Sequence, residues 1–257
     1  MQTVLITGAS SGIGKAFAYE YAKRGYNLII TSRREELLDS IAEELTDKYK
    51  IECIVIPQDL SEAHSAEKLV SEINSRNLMV DILVNNAGFA TKGLFSSVDY
   101  DKQHREINLN VLSLTELTYL LIGEMAERNS GTVINIASVS GFNPIPYNAV
   151  YSATKAYVLS FSQSINYEYK DRGVYVLAVC PQATNTHFFD SFNKMKGKMR
   201  EPEDVVNSTF KAIRKKKSIC TDGRLSVMQS LMPHFLSRKM CVSILGRIGK
   251  SIWGKTV

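Results

Sequence analysis

Tyr151 and Lys155 stand four residues apart at the start of a helical run that extends to Asp171, so their side chains share one helix face. A phenol ordinarily titrates near about 10, too high for ready proton exchange at neutral pH, and a neighbouring ammonium stabilises the phenolate and lowers that value. Ser138 precedes the tyrosine and falls just past the apolar run Val133 to Ile136, at the edge where open parallel sheets bind ligands. From there its hydroxyl can donate to a substrate oxygen as negative charge develops, while Tyr151 gives or takes a proton. The chemistry expected of this group is proton transfer at an oxygen, paired with hydride transfer.

A second group of residues supplies the place for a hydride carrier. Thr7-Gly8-Ala9-Ser10-Ser11-Gly12-Ile13-Gly14 follows a short apolar run, with glycines in the spacing GxxxGxG rather than GxGxxG. Gly8, Gly12 and Gly14 let the backbone turn tightly and approach a pyrophosphate, whose charge is held by amides at the start of the next helix, including those of Ser10, Ser11 and Ile13. At the end of the second apolar run, where a fold selecting NAD places an acid, the chain reads Thr31-Ser32-Arg33-Arg34. A guanidinium takes a 2′-phosphate with paired hydrogen bonds, so NADP(H) is favoured over NAD(H), with Arg33 as the principal contact and Arg34 as the lesser one. Two solvated helix-start arginines are the bland alternative, but cations are mildly unfavourable there.

These residues need a scaffold that brings them together. Val4–Thr7, Leu28–Thr31, Cys53–Ile56, Ile82–Val84, Val133–Ile136 and Val174–Val179 are short, continuous apolar runs, with Ser218–Thr221 as a seventh. Strands buried on both faces read this way, and the intervals leave room for a crossover helix each time. The expected fold is α/β, a doubly wound parallel sheet of about seven strands with helices on both faces. Ser61 is expected to cap one helix, Asp99 to begin a long one through Arg128, and Pro202, amid Glu201, Glu203 and Asp204, to open another. Residues 1–222 form the expected dinucleotide-binding and catalytic domain, and residues 223–257 a C-terminal helical extension.

Composition excludes several other classes. The 257 residues are 44% hydrophobic and include only 15 Gly and 6 Pro, which excludes collagen-like and wholly disordered chains. Four scattered cysteines without a CxxC pair argue against a disulfide framework or zinc ribbon, and the histidines show no ligand spacing, so no metal is expected. No leader or spanning segment is expected either, and the location expected is cytoplasmic, with a membrane-peripheral one as the variant. The net charge of +5 is uneven. Residues 211–257 carry 11 Lys and Arg against Asp222 alone, and no nucleic-acid motif accompanies them.

The motifs TGASSGIG (7–14), NNAG (85–88), INL with Asn108, Ser138 and YSATK (151–155) resemble those of the short-chain dehydrogenase/reductase family, in its order and spacing over roughly residues 1–222. The resemblance implies that Asp59 contacts adenine, that Asn86 and Gly88 border the nucleotide, and that Asn108 holds the water through which Lys155 passes protons. It also implies that Thr186 contacts the carboxamide and that the enzyme is a homodimer or homotetramer. One departure stands out: the family usually reads Pro-Gly after strand six, and this chain reads Pro181-Gln182.

Asn185 to Arg200 occupy the place of the family's substrate loop, where Phe188, Phe189 and Phe192 could form an apolar lid and Lys194, Lys196 and Lys198 could meet an acidic tail. Pro144 to Tyr147 would form the opposite wall, which suggests an apolar carbonyl or alcohol substrate. In the extension, Met228, Leu231, Met232, Phe235, Val242, Leu245, Ile248 and Ile252 recur at steps of three or four among cations. A helical cap and a basic amphipathic helix on an anionic membrane both fit this pattern. The expected function is NADP(H)-dependent hydride transfer to or from a carbonyl or alcohol by Ser138, Tyr151, Lys155 and Asn108. The alternatives are an NAD-dependent alcohol dehydrogenase of the same family and a non-catalytic nucleotide-binding or membrane-associated protein.

Overall fold

The computed structural model describes residues 1–186, 188 and 199–253, apart from the side chains of 224, 225, 252 and 253. The expected strands form as β1 (Thr3–Thr7), β2 (Asn27–Thr31), β3 (Cys53–Val55), β4 (Ile82–Asn85), β5 (Gly131–Ile136), β6 (Val174–Cys180) and β7 (Ile219–Thr221). They join one parallel sheet in the order β3-β2-β1-β4-β5-β6-β7. The order reverses between β1 and β4, where the carboxyl ends of the strands open a crevice.

The continuous apolar runs are explained by helices on both sides of the sheet. Successive strand residues point to opposite faces, so Val4 and Ile6 pack with Phe17, Tyr21, Leu38 and Val205, while Leu5 and Leu83 pack with Leu69, Leu121 and Ile165. The first face is covered by α1 (Gly12–Lys23), α2 (Glu35–Tyr49) and α7 (Pro202–Arg214), and the second by α3 (Ser65–Ser75), α5 (Leu114–Glu127) and α6 (Ala149–Tyr169). Each such large side chain removed from water contributes about 1.5–3 kcal/mol before entropy is counted.

Two helix expectations are corrected. The helix opened by Asp99, whose carboxylate accepts from Lys102 N at 2.8 Å, is interrupted: α4 (Tyr100–Ile107) passes into a wide π-helical turn, Asn108–Ser113, before α5 begins. Ser61 caps no helix, because its hydroxyl and amide are engaged by Asp59 and α3 starts after His64. Pro202 does open α7, with Glu201 and Asp204 forming a capping box around it. After β7 come α8 (Arg224–Phe235) and α9 (Arg238–Trp253). Asn143 Nδ2, in the loop after β5, donates to Gln229 O on α8 at 3.0 Å, tying these helices to the site edge of the sheet.

Candidate active site and cofactor cradle

At the end of β1 the chain turns through Gly8 and Gly12, both with positive φ (66° and 54°), and enters α1. A Cβ on Gly14 would stand 2.4 Å from Gly8 O, so backbone meets backbone with no room for a side chain. Asn86 closes the turn from the neighbouring strand end. Its Nδ2 donates to Thr7 O at 2.9 Å and Gly8 O at 3.3 Å, and Thr7 Oγ1 accepts from the amides of Asn86 and Ala87 at 2.9 Å each. Thr186 leans over this turn, since a Cβ on Gly12 would lie 2.8 Å from Thr186 Cγ2. The cradle therefore consists of bare backbone at a helix start, and it fits a dinucleotide's pyrophosphate.

The two arginines have different partners. Arg34 lies across the turn, with Nη2 donating to Ser10 Oγ at 2.9 Å and Ser11 Oγ at 2.7 Å, and Nε to Ser10 Oγ at 3.2 Å. Arg33 faces Asp59 instead, at 3.9 Å. The Arg33 side chain is 70% exposed, so this is a solvated pair, and charge counting along the sequence could not show that the two guanidiniums part. Asp59 is itself held below the usual carboxylate range: burial opposes this, but hydrogen bonds from Ser61 and the charges of Arg33 and Arg105 outweigh it. Asp59, Arg33 and Arg34 all line the same cavity.

That cavity, of about 760 Å³, runs from the glycine turn past Asn86 and Gly88 to Ser138, Tyr151 and Lys155. Lys155 is 4% exposed; its Nζ donates to Ile136 O at 2.7 Å and stands 5.7 Å from the Tyr151 ring centre. Burial holds the Tyr151 phenol well above its ordinary value, the Ser138 hydroxyl pulls it back down, and nearby Glu106 pushes it up. Burial is the largest influence on this phenol, and the Ser138 hydrogen bond opposes it. Burial also brings Lys155 down to about 8, against the opposing pull of Glu106.

Two residues that the sequence reading missed complete the group. Asn108 does not face Lys155; its Nδ2 points to Ser61 O, 3.5 Å away. Asn110 is the inward asparagine, 1% exposed, with Nδ2 donating to Phe89 O at 2.9 Å and Thr154 Oγ1 at 3.2 Å, and Oδ1 accepting from Phe89 N. A Cβ on Gly88 would lie 2.9 Å from Asn110 Oδ1 and 3.6 Å from Lys155 Nζ, which places the amide and the ammonium about one glycine. The π-helical turn widens the helix there, and an even helical period carried from Asp99 gives no sign of which asparagine turns inward. Glu106 is fully buried, its Oε2 accepting from the amide (2.9 Å) and the hydroxyl of Thr91, and burial pushes it up to about 7. Thr91 O in turn accepts from Asn148 Nδ2 at 2.7 Å, immediately before α6. Glu106 gave no motif signal, because a lone acid on a charged helix reads as solvated.

The apolar residues lining the cavity include Phe89, Ile145, Phe188, Met199, Leu245 and Ile248. Phe188 sits 5.6 Å from the Tyr151 ring, centre to centre. Phe189, Phe192, Lys194, Lys196 and Lys198 lie outside the described residues. Of the expected wall only Ile145 lines this cavity, whereas Pro146 and Tyr147 line a second one. Gln182 also lines the main cavity, and a Cβ on Gly223 (φ +87°) would come 2.8 Å from its Nε2. A glycine at 223 thus makes room for the side chain that replaces the family's glycine at 182.

A seven-stranded parallel sheet whose glycine turn, asparagines and Ser-Tyr-Lys group converge on one crevice defines the class of dinucleotide-binding oxidoreductases. The short chain dehydrogenase family profile matches residues 2–197. The chain is 31% identical over 245 residues to very-long-chain 3-oxoacyl-CoA reductase-B of Danio rerio, covering 94% of this chain and 75% of that protein. It is 33% identical over 248 residues to the 7beta-hydroxysteroid dehydrogenase of Clostridium sardiniense, covering 95% and 94%. A short-chain dehydrogenase from Sphingobium yanoikuyae, solved in complex with NADPH, superposes with a TM-score of 0.83 at 30% identity, covering 91% of this chain and 93% of that one. The chain belongs to the short-chain dehydrogenase family, and is an enzyme of nicotinamide-dependent oxidoreduction at carbonyl and alcohol groups.

Proposed function

We propose that the protein is an NADPH-dependent reductase of a large apolar ketone or aldehyde, able to run in reverse as an alcohol dehydrogenase. The observation that carries the cofactor choice is Arg34 bridging Ser10 and Ser11 over the glycine turn, a donor cluster suited to a 2′-phosphate. The apolar lining of the cavity carries the substrate class, and two relatives are named as a very-long-chain 3-oxoacyl-CoA reductase and a 7beta-hydroxysteroid dehydrogenase.

Gly8, Ser10, Ser11, Gly12, Ile13 and Gly14 would hold the pyrophosphate, Asp59 the adenine side, Asn86 and Gly88 the middle, and Thr186, Tyr151 and Lys155 the nicotinamide end. When bound, the cofactor supplies or takes the hydride at the carbonyl carbon. This chain's residues handle the proton. Tyr151, kept neutral by burial, holds the proton that the carbonyl oxygen requires, and Ser138 donates a hydrogen bond to the same oxygen as charge grows on it. Lys155 places a positive charge behind Tyr151, favouring loss of that proton, and Asn110 rather than Asn108 supports the proton path behind Lys155. The apolar residues exclude water from the reacting oxygen. In this reading residues 1–222 carry the chemistry, the 223–257 helices wall the cavity, and the enzyme works in the cytoplasm, free or peripheral to a membrane, as a homo-oligomer, in keeping with exposed Tyr119 and Tyr167 on the flanking helices.

Titrating NADPH and NADH in parallel by nicotinamide fluorescence tests the reading. A hydrogen bond to a charged group contributes about 1.5–3 kcal/mol, so Arg34→Ala is expected to weaken NADPH by roughly 10- to 100-fold and leave NADH unchanged, with a smaller effect from Arg33→Ala. Equal affinities, or NADH preferred by the wild type, would replace the proposal with an NAD-dependent dehydrogenase.

A further inference from the structure

The helices α8 and α9 have two unlike sides. Their inner side is the expected cap: Ser226 and Cys241 are buried, and Leu245 and Gly249 line the active-site cavity. Their outer side bears two apolar stripes in solvent. On α8 these are Val227, Met228, Leu231 and Phe235, and on α9 Met240, Ile244 and Ile248, with Phe235 80% exposed. The spacing of each stripe follows one helix face. Lys239, Arg247 and Lys250 lie exposed beside the α9 stripe, and residues 223–257 contain no Asp or Glu.

A second cavity, of about 500 Å³, adjoins this face. Leu94, Phe95, Pro146 and Val242 give it apolar walls, and Arg247 and Lys250 are among its lining residues. Phe95 is 70% exposed and extends the apolar surface beyond the helices. Ile248 belongs both to the outer stripe and to the lining of the active-site cavity, so the stripe reaches the place where an apolar substrate would enter.

We propose that this face docks the enzyme peripherally on an anionic lipid bilayer, with the apolar stripes at the boundary between headgroups and acyl chains. Apolar and cationic side chains side by side, without acids, match an interface that is oily within and negative at its surface. The same charges disfavour a second copy as the occupant. A two-fold contact sets a patch against itself, which would bury Arg247 and Lys250 against a facing patch that has no carboxylate to pair them. No helix among the described residues is long and apolar enough to cross a membrane, so the proposed contact lies in the interface plane.

Cosedimentation of the full chain with phosphatidylcholine vesicles, with and without phosphatidylglycerol, tests this independently of the cofactor reading. Binding is expected only with the anionic lipid and is expected to weaken in high salt. The exposed changes Phe235→Glu and Ile244→Glu should each lower vesicle affinity about tenfold, and Arg247→Gln with Lys250→Gln roughly fivefold per cation. Circular-dichroism melting verifies that each variant folds as the wild type does. Absence of binding to anionic vesicles overturns the proposal, as does binding indifferent to all of these changes. A light-scattering dimer that Phe235→Glu dissociates, without vesicle binding, also overturns it and assigns the face to a second copy.

Discussion

Tyr151 shows how burial and charge divide the labour at a single residue. Burial holds the phenol above its ordinary value, and in the proposed mechanism the ammonium of Lys155, 5.7 Å from the ring centre, favours the phenolate as the proton leaves. Tyr151→Phe removes the hydroxyl and little else from the cavity wall. It is expected to keep NADPH binding within a few-fold and to lower turnover of a carbonyl substrate by about 10²- to 10⁴-fold, as measured by fluorescence titration beside absorbance kinetics. Retained turnover would remove Tyr151 from the proton path. The arginine pair carries the same lesson in another form. Two adjacent guanidiniums face different partners, Arg33 the Asp59 carboxylate and Arg34 the hydroxyls of Ser10 and Ser11.

Among the elements, the π-helical turn between α4 and α5 sets which asparagine lies with Lys155 about Gly88. A plain helix from Asp99 to Arg128 was expected from periodicity, and the inserted wide turn, Asn108–Ser113, directs Asn110 toward Lys155 and leaves Asn108 beside Ser61. Asn110→Ala is therefore expected to cut turnover at least tenfold with NADPH affinity little changed, and Asn108→Ala to leave both near wild type. Steady-state kinetics on the two variants distinguishes them, and the opposite ranking would return the role to Asn108. The segment around Arg200 is a second case in which distant elements cooperate. Arg200 pairs with buried Asp222 at 2.8 Å, and Asn185 N and Arg200 N donate to Arg200 O and Ala183 O, which ties Ala183 and Asn185 to Arg200, and Arg200 to the end of β7.

For the whole molecule, the buried pair Glu106 and Lys155 links the site to stability. The folded chain holds the Glu106 proton up to about 7, against a reference value of 4.5, so across that window the native state binds more protons and stability falls as pH rises. Lys155 acts in the opposite sense. Its folded value of about 8 lies below the reference 10.5, so between these values the unfolded chain binds more protons and stability rises with pH. Glu106→Gln is expected to abolish the first slope, read as urea midpoints at successive pH values between about 4.5 and 7. An unchanged slope would show that Glu106 titrates normally.

The sequence by itself determined the sheet, the glycine turn and the Ser-Tyr-Lys group, because these depend on local rules: apolar runs of strand length, glycine where backbone meets backbone, and a four-residue step on one helix face. Gly14 and the Tyr151–Lys155 pair needed nothing distant to be legible. The tertiary structure alone decided that Asn110 rather than Asn108 lies with Lys155 about Gly88, that Arg34 reaches Ser10 and Ser11 while Arg33 faces Asp59, that Glu106 is buried, that Gly223 accommodates Gln182, and that α9 lines the cavity with one side while exposing the other. Each of these rests on a partner far along the chain, Asp59, Thr91, Lys155 or Gly223, and no period or spacing in the sequence records the direction from which such a partner arrives.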